Sequence, residues 1–173
     1  MKLHVISIIA FTLAVVNVYA ETINGHVLPP EPDPAVNNAT LLGVDANNNG
    51  VRDDVERWIY LTYDEPVEQG IYMQLGFAYQ KVIVDSSKAM ETKAYIDKYT
   101  SCLKYWMFAA EENNESFHMD PFTTVEKNLQ HIQLNSVQRK MAHERYLGEL
   151  SGRVFSLLPI SKEACDFQLH PRG

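Results

Sequence analysis

Between residues 45 and 56 the chain reads DANNNGVRDDVE, and oxygen-bearing side chains recur there at alternate positions. Asp45, Asn47 and Asn49 lead into Gly50, and Asp53 and Glu56 follow. Alternate residues of a tightly curled chain can turn their oxygens toward one centre. A hard divalent cation such as Ca²⁺ needs that arrangement, because it takes six to eight oxygen ligands. Gly50 permits a sharp turn at positive φ, after which Val51 can offer its backbone carbonyl. Asp53 can coordinate directly or through water, and Glu56 can close the sphere with both carboxylate oxygens. A plainer reading covers half of the string: Asn49-Gly50 makes a turn, and Asp53 with Glu56 makes an acidic capping box. It does not explain why Asp45 and Asn47 also alternate. The expected metal ligands are therefore Asp45, Asn47, Asn49, Val51, Asp53 and Glu56.

The string fits D-x-[DN]-x-[DN]-G-x5-E in full, and over residues 45 to 56 it resembles EF-hand-like calcium loops. The form DxNxNGVRDDVE looks closer to thrombospondin type-3-like repeats and related secreted bacterial proteins than to an intracellular EF-hand. That resemblance implies one Ca²⁺, held with modest affinity on the order of 10⁻⁴ to 10⁻³ M, as in extracellular modules. Two features depart from the paired EF-hand. Loop position 8, usually apolar so that two loops can pair, is Arg52, and the preceding NNATLLGV is too short and polar for a strong entering helix. There is no second loop to act as partner. A structural staple is expected here, not a calmodulin-like sensor.

Other residues with chemical potential assemble no complete motif. His143-Glu144 begins like a zinc-protease HExxH, but the fifth residue is Leu147. His143 lies on an apolar stripe, where a hydrogen-bonded core histidine is the expectation. His131 has Lys127 and Asn135 four residues to either side, so no local acid orients its ring. His118-Met119-Asp120 is a lone triplet of low specificity. Zinc and copper are not expected, since histidine pairs at i,i+4 and CxxC spacings are missing. A phospholipase-like His-Asp pair, a GxSxG elbow and a Gly-rich phosphate loop are all absent. A glycan hydrolase needs only one or two carboxylates in a cleft, so it stays open. Tyr95, Tyr99, Trp106, Trp58 and Tyr60 could line a ligand groove, but at helical spacing they read as core.

The elements that must position the loop follow from periodicity. Residues 1–20 read as a secretory signal peptide: Lys2, an apolar run Val5 to Val16, then Val18-Tyr19-Ala20 at the cut. Residues 21–44, rich in proline and asparagine, read as an extended lead-in with no strand. Residues 45–173 form the helical domain. Its first stripe is Val55, Trp58, Ile59 and Thr62; the second, after Pro66, is Val67, Ile71, Leu75, Ala78 and Val82. Ser86 or Ser87 caps a third helix with Tyr95, Tyr99, Cys102, Leu103, Trp106 and Ala110 buried. Residues 111–120 are a loop, Asp120-Pro121 starts a fourth helix through Phe122, Val125, Leu129 and Ile132, and a fifth carries His143, Tyr146, Leu147, Leu150 and Val154. Ser161 to Phe167 forms a last short helix. The fold class is all-α, a single irregular bundle of about five or six helices.

Composition narrows the partners. The 173-residue chain carries a formal charge of −7, and it shows no run of basic residues, so a nucleic-acid partner is not expected. Cleavage leaves roughly 150 residues, enough for one domain with a core, and no later segment is apolar enough to span a bilayer. The two cysteines, Cys102 and Cys165, allow a single pairing in an oxidising compartment. Asn38-Ala39-Thr40 and Asn114-Glu115-Ser116 fit the N-glycosylation pattern, which matters only in a eukaryotic secretory chain. The functional expectation is an exported, periplasmic or extracellular, non-enzymatic protein that binds another macromolecule. An immunity or inhibitor protein against an exported toxin is one concrete version. A small hydrolase of cell-wall glycan, or a carrier of an apolar ligand between helices, is the alternative.

Overall fold

The computed structural model describes residues 20–109 and 122–167. The expected signal peptide, the 111–120 loop, the Asp120-Pro121 cap, His118 and Asn114 lie outside the described residues. Among the described residues the α-helices number six and are joined by one two-stranded hairpin: β1 (Glu21–Ile23), β2 (His26–Leu28), α1 (Pro34–Asn37), α2 (Asp53–Thr62), α3 (Pro66–Val84), α4 (Ala89–Lys104), α5 (Phe122–Gln133) and α6 (Val137–Leu150). The all-α class and the disulfide between Cys102 and Cys165 are both present.

α3 is the axis of the fold. Pro66 opens it at the first helical position, where a missing N–H costs nothing. The expected stripe Val67, Ile71, Leu75, Ala78 and Val82 is buried, and so are Tyr72, Gly76 and Ile83 on other faces. A helix buried nearly all round must be enclosed, and α2, α4, α5 and α6 all pack against it. Its buried glutamines fasten the irregular segments. Gln69 Nε2 donates to the Tyr63 carbonyl at 2.7 Å, Gln80 Nε2 to Leu42 at 2.7 Å, and Gln74 Nε2 to Ala164 at 2.8 Å.

The lead-in differs from expectation. Instead of an extended, strandless segment, it forms the antiparallel hairpin β1–β2, pairing Glu21 with Leu28 and Ile23 with His26. Asn24 and Gly25 take positive φ of 49° and 81° in the turn. An Asn-Gly pair between short apolar runs is a hairpin signal, legible in the sequence and overridden by the nearby prolines. α1 is a single turn capped by Asp33, whose carboxylate accepts the Ala35 and Val36 N–H groups. Arg57 of α2 holds the hairpin down, donating to Pro29 O at 2.9 Å and pairing with Glu21 and Glu31.

Three smaller corrections concern the bundle. Thr62 and Tyr95, expected on buried stripes, are exposed. The segment Ser86–Lys88 is a 3₁₀ turn and α4 starts at Ala89; the C-terminal helix is likewise only a 3₁₀ turn, Lys162–Ala164, capped by Ser161. α6 stops at Leu150, leaving Val154 fully solvated at 99% exposure. Gly152, at φ 74°, ends the helical path.

Candidate metal centre

The 45–56 segment folds back on itself around its own carboxylates. Asp45 accepts the Asn49 N–H at 3.1 Å and the Gly50 N–H at 2.9 Å. Asn47 Oδ1 accepts from Asn49 N, and Asn49 Oδ1 accepts from Val51 N at 2.8 Å. These short loops curl the chain so that alternate side chains point inward. Asn48 and Gly50 supply the positive φ values, 56° and 84°. Gly50 is required for a second reason: an added Cβ would meet the Phe77 ring at 2.5 Å.

The capping-box alternative is not what the chain does. The helix cap position is Arg52, with no side-chain cap bond. Asp53 Oδ1 instead accepts the Ala46 N–H at 3.0 Å, backward across the loop, and Asp53 N donates to Val44 O at 2.9 Å. Its other oxygen, Oδ2, is buried and has no partner. Burial pushes the Asp53 carboxyl above its ordinary value against the Ala46 N–H, and the charges of Asp45 and Asp54 add to the rise. Glu56 is raised likewise, mainly by burial, with Asp53 and Asp45 contributing and the amides of Asn47 and Asn49 opposing. Asn47 Nδ2 donates to Glu56 Oε2 at 2.9 Å.

The six expected ligand residues thus lie in the curled loop and the first turn of α2 that follows it. Asp53 and Glu56 lie at its buried base, and Asn47 and Asn49 lie at its exposed rim. Among the described residues, no three carboxylate, imidazole or thiol side chains converge closely enough to hold a metal by themselves. A cation here would need amide oxygens from Asn47 and Asn49 and the Val51 carbonyl as well. The Asn47 amide would also have to present oxygen, not nitrogen, toward Glu56. That rotation exchanges two groups of nearly equal size, and it would give up the bond that Asn47 Oδ1 accepts from the Asn49 N–H in return for the cation.

Arg52 answers the question raised by loop position 8. It is fully buried, pairs with Asp54 at 2.8 Å, and donates to Gln133 O at 3.1 Å and Ile132 O at 2.9 Å. These are end carbonyls of α5, which a cation at a helix C-terminus satisfies well. In place of a second loop, the guanidinium ties the site to α5. Arg139 of α6 does the same for the lead-in, using all five N–H donors: on Leu41 O, Asn37 O, Thr40 O, Asn38 Oδ1 and Asn135 Oδ1. Burial, with the charge of Arg52 beside it, holds its pKa down to about 10. Gly43, at φ 71°, lies between the two arginine side chains, where a Cβ would meet Arg52 Cδ at 2.4 Å and Arg139 Nη2 at 2.7 Å. Neither buried arginine was foreseeable from the sequence, since the carbonyls that each one satisfies lie far along the chain.

His143 is buried as expected, but among the described residues it has no hydrogen-bond partner; it packs between the rings of Tyr79 and Tyr146. A groove of about 570 Å³ runs beside the loop, bordered by Asn49, Tyr60, Phe77, Tyr95 and the Lys98–Asp166 ion pair. Comparison with known protein families, with curated proteins and with solved structures finds no match to this chain.

Proposed function

We propose that this is an exported calcium-binding protein that works by binding another protein rather than by catalysis. The observation that carries the calcium reading is Asp53 Oδ2, a buried carboxylate oxygen with no partner beside Asp45 and Glu56. A buried, unpaired carboxylate is costly unless a cation meets it. Ca²⁺ would draw on Asp45, Asn47, Asn49, the Val51 carbonyl, Asp53 and Glu56. Among the described residues no helix of more than one turn precedes the loop, so binding would brace the lead-in against α2 without opening a helix pair. The disulfide supports an oxidising, periplasmic or extracellular location.

For a protein partner the support is the stretch after α6. Val154, Leu157, Leu158 and Ile160 are exposed together on a chain without regular structure. Contiguous exposed apolar residues mark interaction sites. The hydrolase alternative has less support: of the described grooves, the one beside the loop has only Asp166, already paired with Lys98. That between Asp85 and Glu91 is flanked by Lys81, Lys88 and Lys98. Among the described residues, no helix is long and apolar enough to cross a membrane.

Melting curves with Ca²⁺ and with chelator test the metal. At a concentration tenfold above Kd, calcium should stabilise by about 1.4 kcal/mol, and Asp45→Ala with Glu56→Ala should remove the difference. A wild-type midpoint indifferent to millimolar calcium would reduce the loop to a turn. A photo-crosslinker at Leu157 tests the partner. A discrete adduct in the producing cells, missing for the same probe at Val27, is expected.

A further inference from the structure

Lys127, Gln130 and His131 of α5, with Leu134 just past its end, fall at i, i+3, i+4 and i+7, and Lys140, His143, Glu144 and Leu147 of α6 share that spacing. Each set therefore occupies one helix face. The connection between the helices is short. All of these residues line one groove of about 440 Å³.

Its charge is unusual for this molecule. The chain carries −7, and Lys88, Lys93 and Lys98 each reach a carboxylate, on Asp85, Asp97 and Asp166. Lys127 and Lys140 are exposed and make no ion pair among the described residues. Between them His143 is only 8% exposed, and among the described residues neither ring nitrogen has a hydrogen-bond partner. Burial holds its pKa below the ordinary value, with Glu144 opposing, so at neutral pH the ring offers one N–H and one acceptor.

We propose that the α5–α6 groove binds a small oxyanion, a carboxylate or phosphate carried on a short apolar body. Lys127 and Lys140 supply the charge, His143 and Gln130 supply directed hydrogen bonds, and Leu134 with Leu147 contacts the body. Glu144, the single acid among the described residues that line the groove, disfavours a polyanion, as does the negative charge of the whole chain. A metal is a poorer occupant, because no three metal-binding side chains converge there among the described residues. The proposal is independent of the calcium reading, and a protein with Asp45→Ala and Glu56→Ala should still bind the anion.

Histidine side-chain NMR of the exported protein at pH 7.5 and constant ionic strength is the test, with chloride as reference. Hexanoate and inorganic phosphate are titrated separately. The expected result is a saturable shift of the His131 and His143 signals with at least one anion. Saturation by hexanoate alone identifies a carboxylate ligand, and by phosphate alone a phosphate. Lys127→Gln with Lys140→Gln should weaken that binding about tenfold or more, as loss of charge-assisted contacts requires. Lys88→Gln should leave it unchanged. Shifts no larger than in chloride for both anions, or binding undiminished in the double variant, would overturn the proposal.

Discussion

Asp53 concentrates the argument at the scale of single residues. If its unpartnered oxygen awaits a cation, Asp53→Asn should act oppositely with and without calcium. In chelator the variant removes a buried charge, so its melting point should match or exceed the wild type. With calcium present the wild type should overtake it, because the neutral amide binds the ion less well. Parallel calorimetric scans would check both arms, and a variant less stable in chelator would mean that Asp53 is satisfied without metal. Arg139 is the second decisive residue. Five acceptors depend on it, and leaving buried acceptors unmet costs about 1–3 kcal/mol each. Arg139→Lys keeps the charge but offers three donors on a compact head. We expect a loss of at least about 3 kcal/mol by urea denaturation, with no rescue relative to Arg139→Met.

Between elements, the α5–α6 pair carries a pH dependence. His143 packs on Tyr79 of α3, beside Tyr146, Lys140 and Glu144 of its own helix, and it lines the groove with Lys127 and His131 of α5. Its folded pKa lies below the ordinary 6.5. The unfolded chain therefore takes up a proton first as pH falls, and stability drops from about pH 6.5 downward until the folded ring also titrates. Melting midpoints measured from pH 8 to pH 5 should decline through that window. His143→Gln should flatten the decline without abolishing folding, while carboxylate effects at lower pH remain.

Over the whole molecule, the disulfide joins α4 to the C-terminal segment across a sequence separation of 63. Closing a loop of that size stabilises by roughly 4 kcal/mol in the chain-entropy model. Gln74 reinforces the bridge, binding both Ala164 O and the Asp166 N–H. Reduction should therefore lower the denaturation midpoint and free the stretch after Leu150 before α3 and α4 unfold. Thiol titration of the denatured, unreduced protein should find no free thiol. Hydrogen exchange after reduction would report the order, with faster exchange at residues 161–167 expected first.

The helical periods, the Pro66 start of α3, the cysteine pair and the curled string from Asp45 to Glu56 were all legible in the sequence. Each depends on residues adjacent along the chain, or on a choice with one answer. The Asn24-Gly25 hairpin was legible too, but prolines nearby masked it. What only the tertiary structure decided were the long-range polar contacts. Arg52 reaches α5 across a separation of 81 and Arg139 reaches Asn37 across 102. No local pattern marks an arginine that will be buried by a partner so distant. The same holds for His131, His143 and the two lysines: spacing placed each set on a helix face, but only the packing of α5 and α6 on α3 turned those faces together. Periodicity records which side of a helix is apolar, whereas the meeting of two polar faces depends on how every other element fills the space between them.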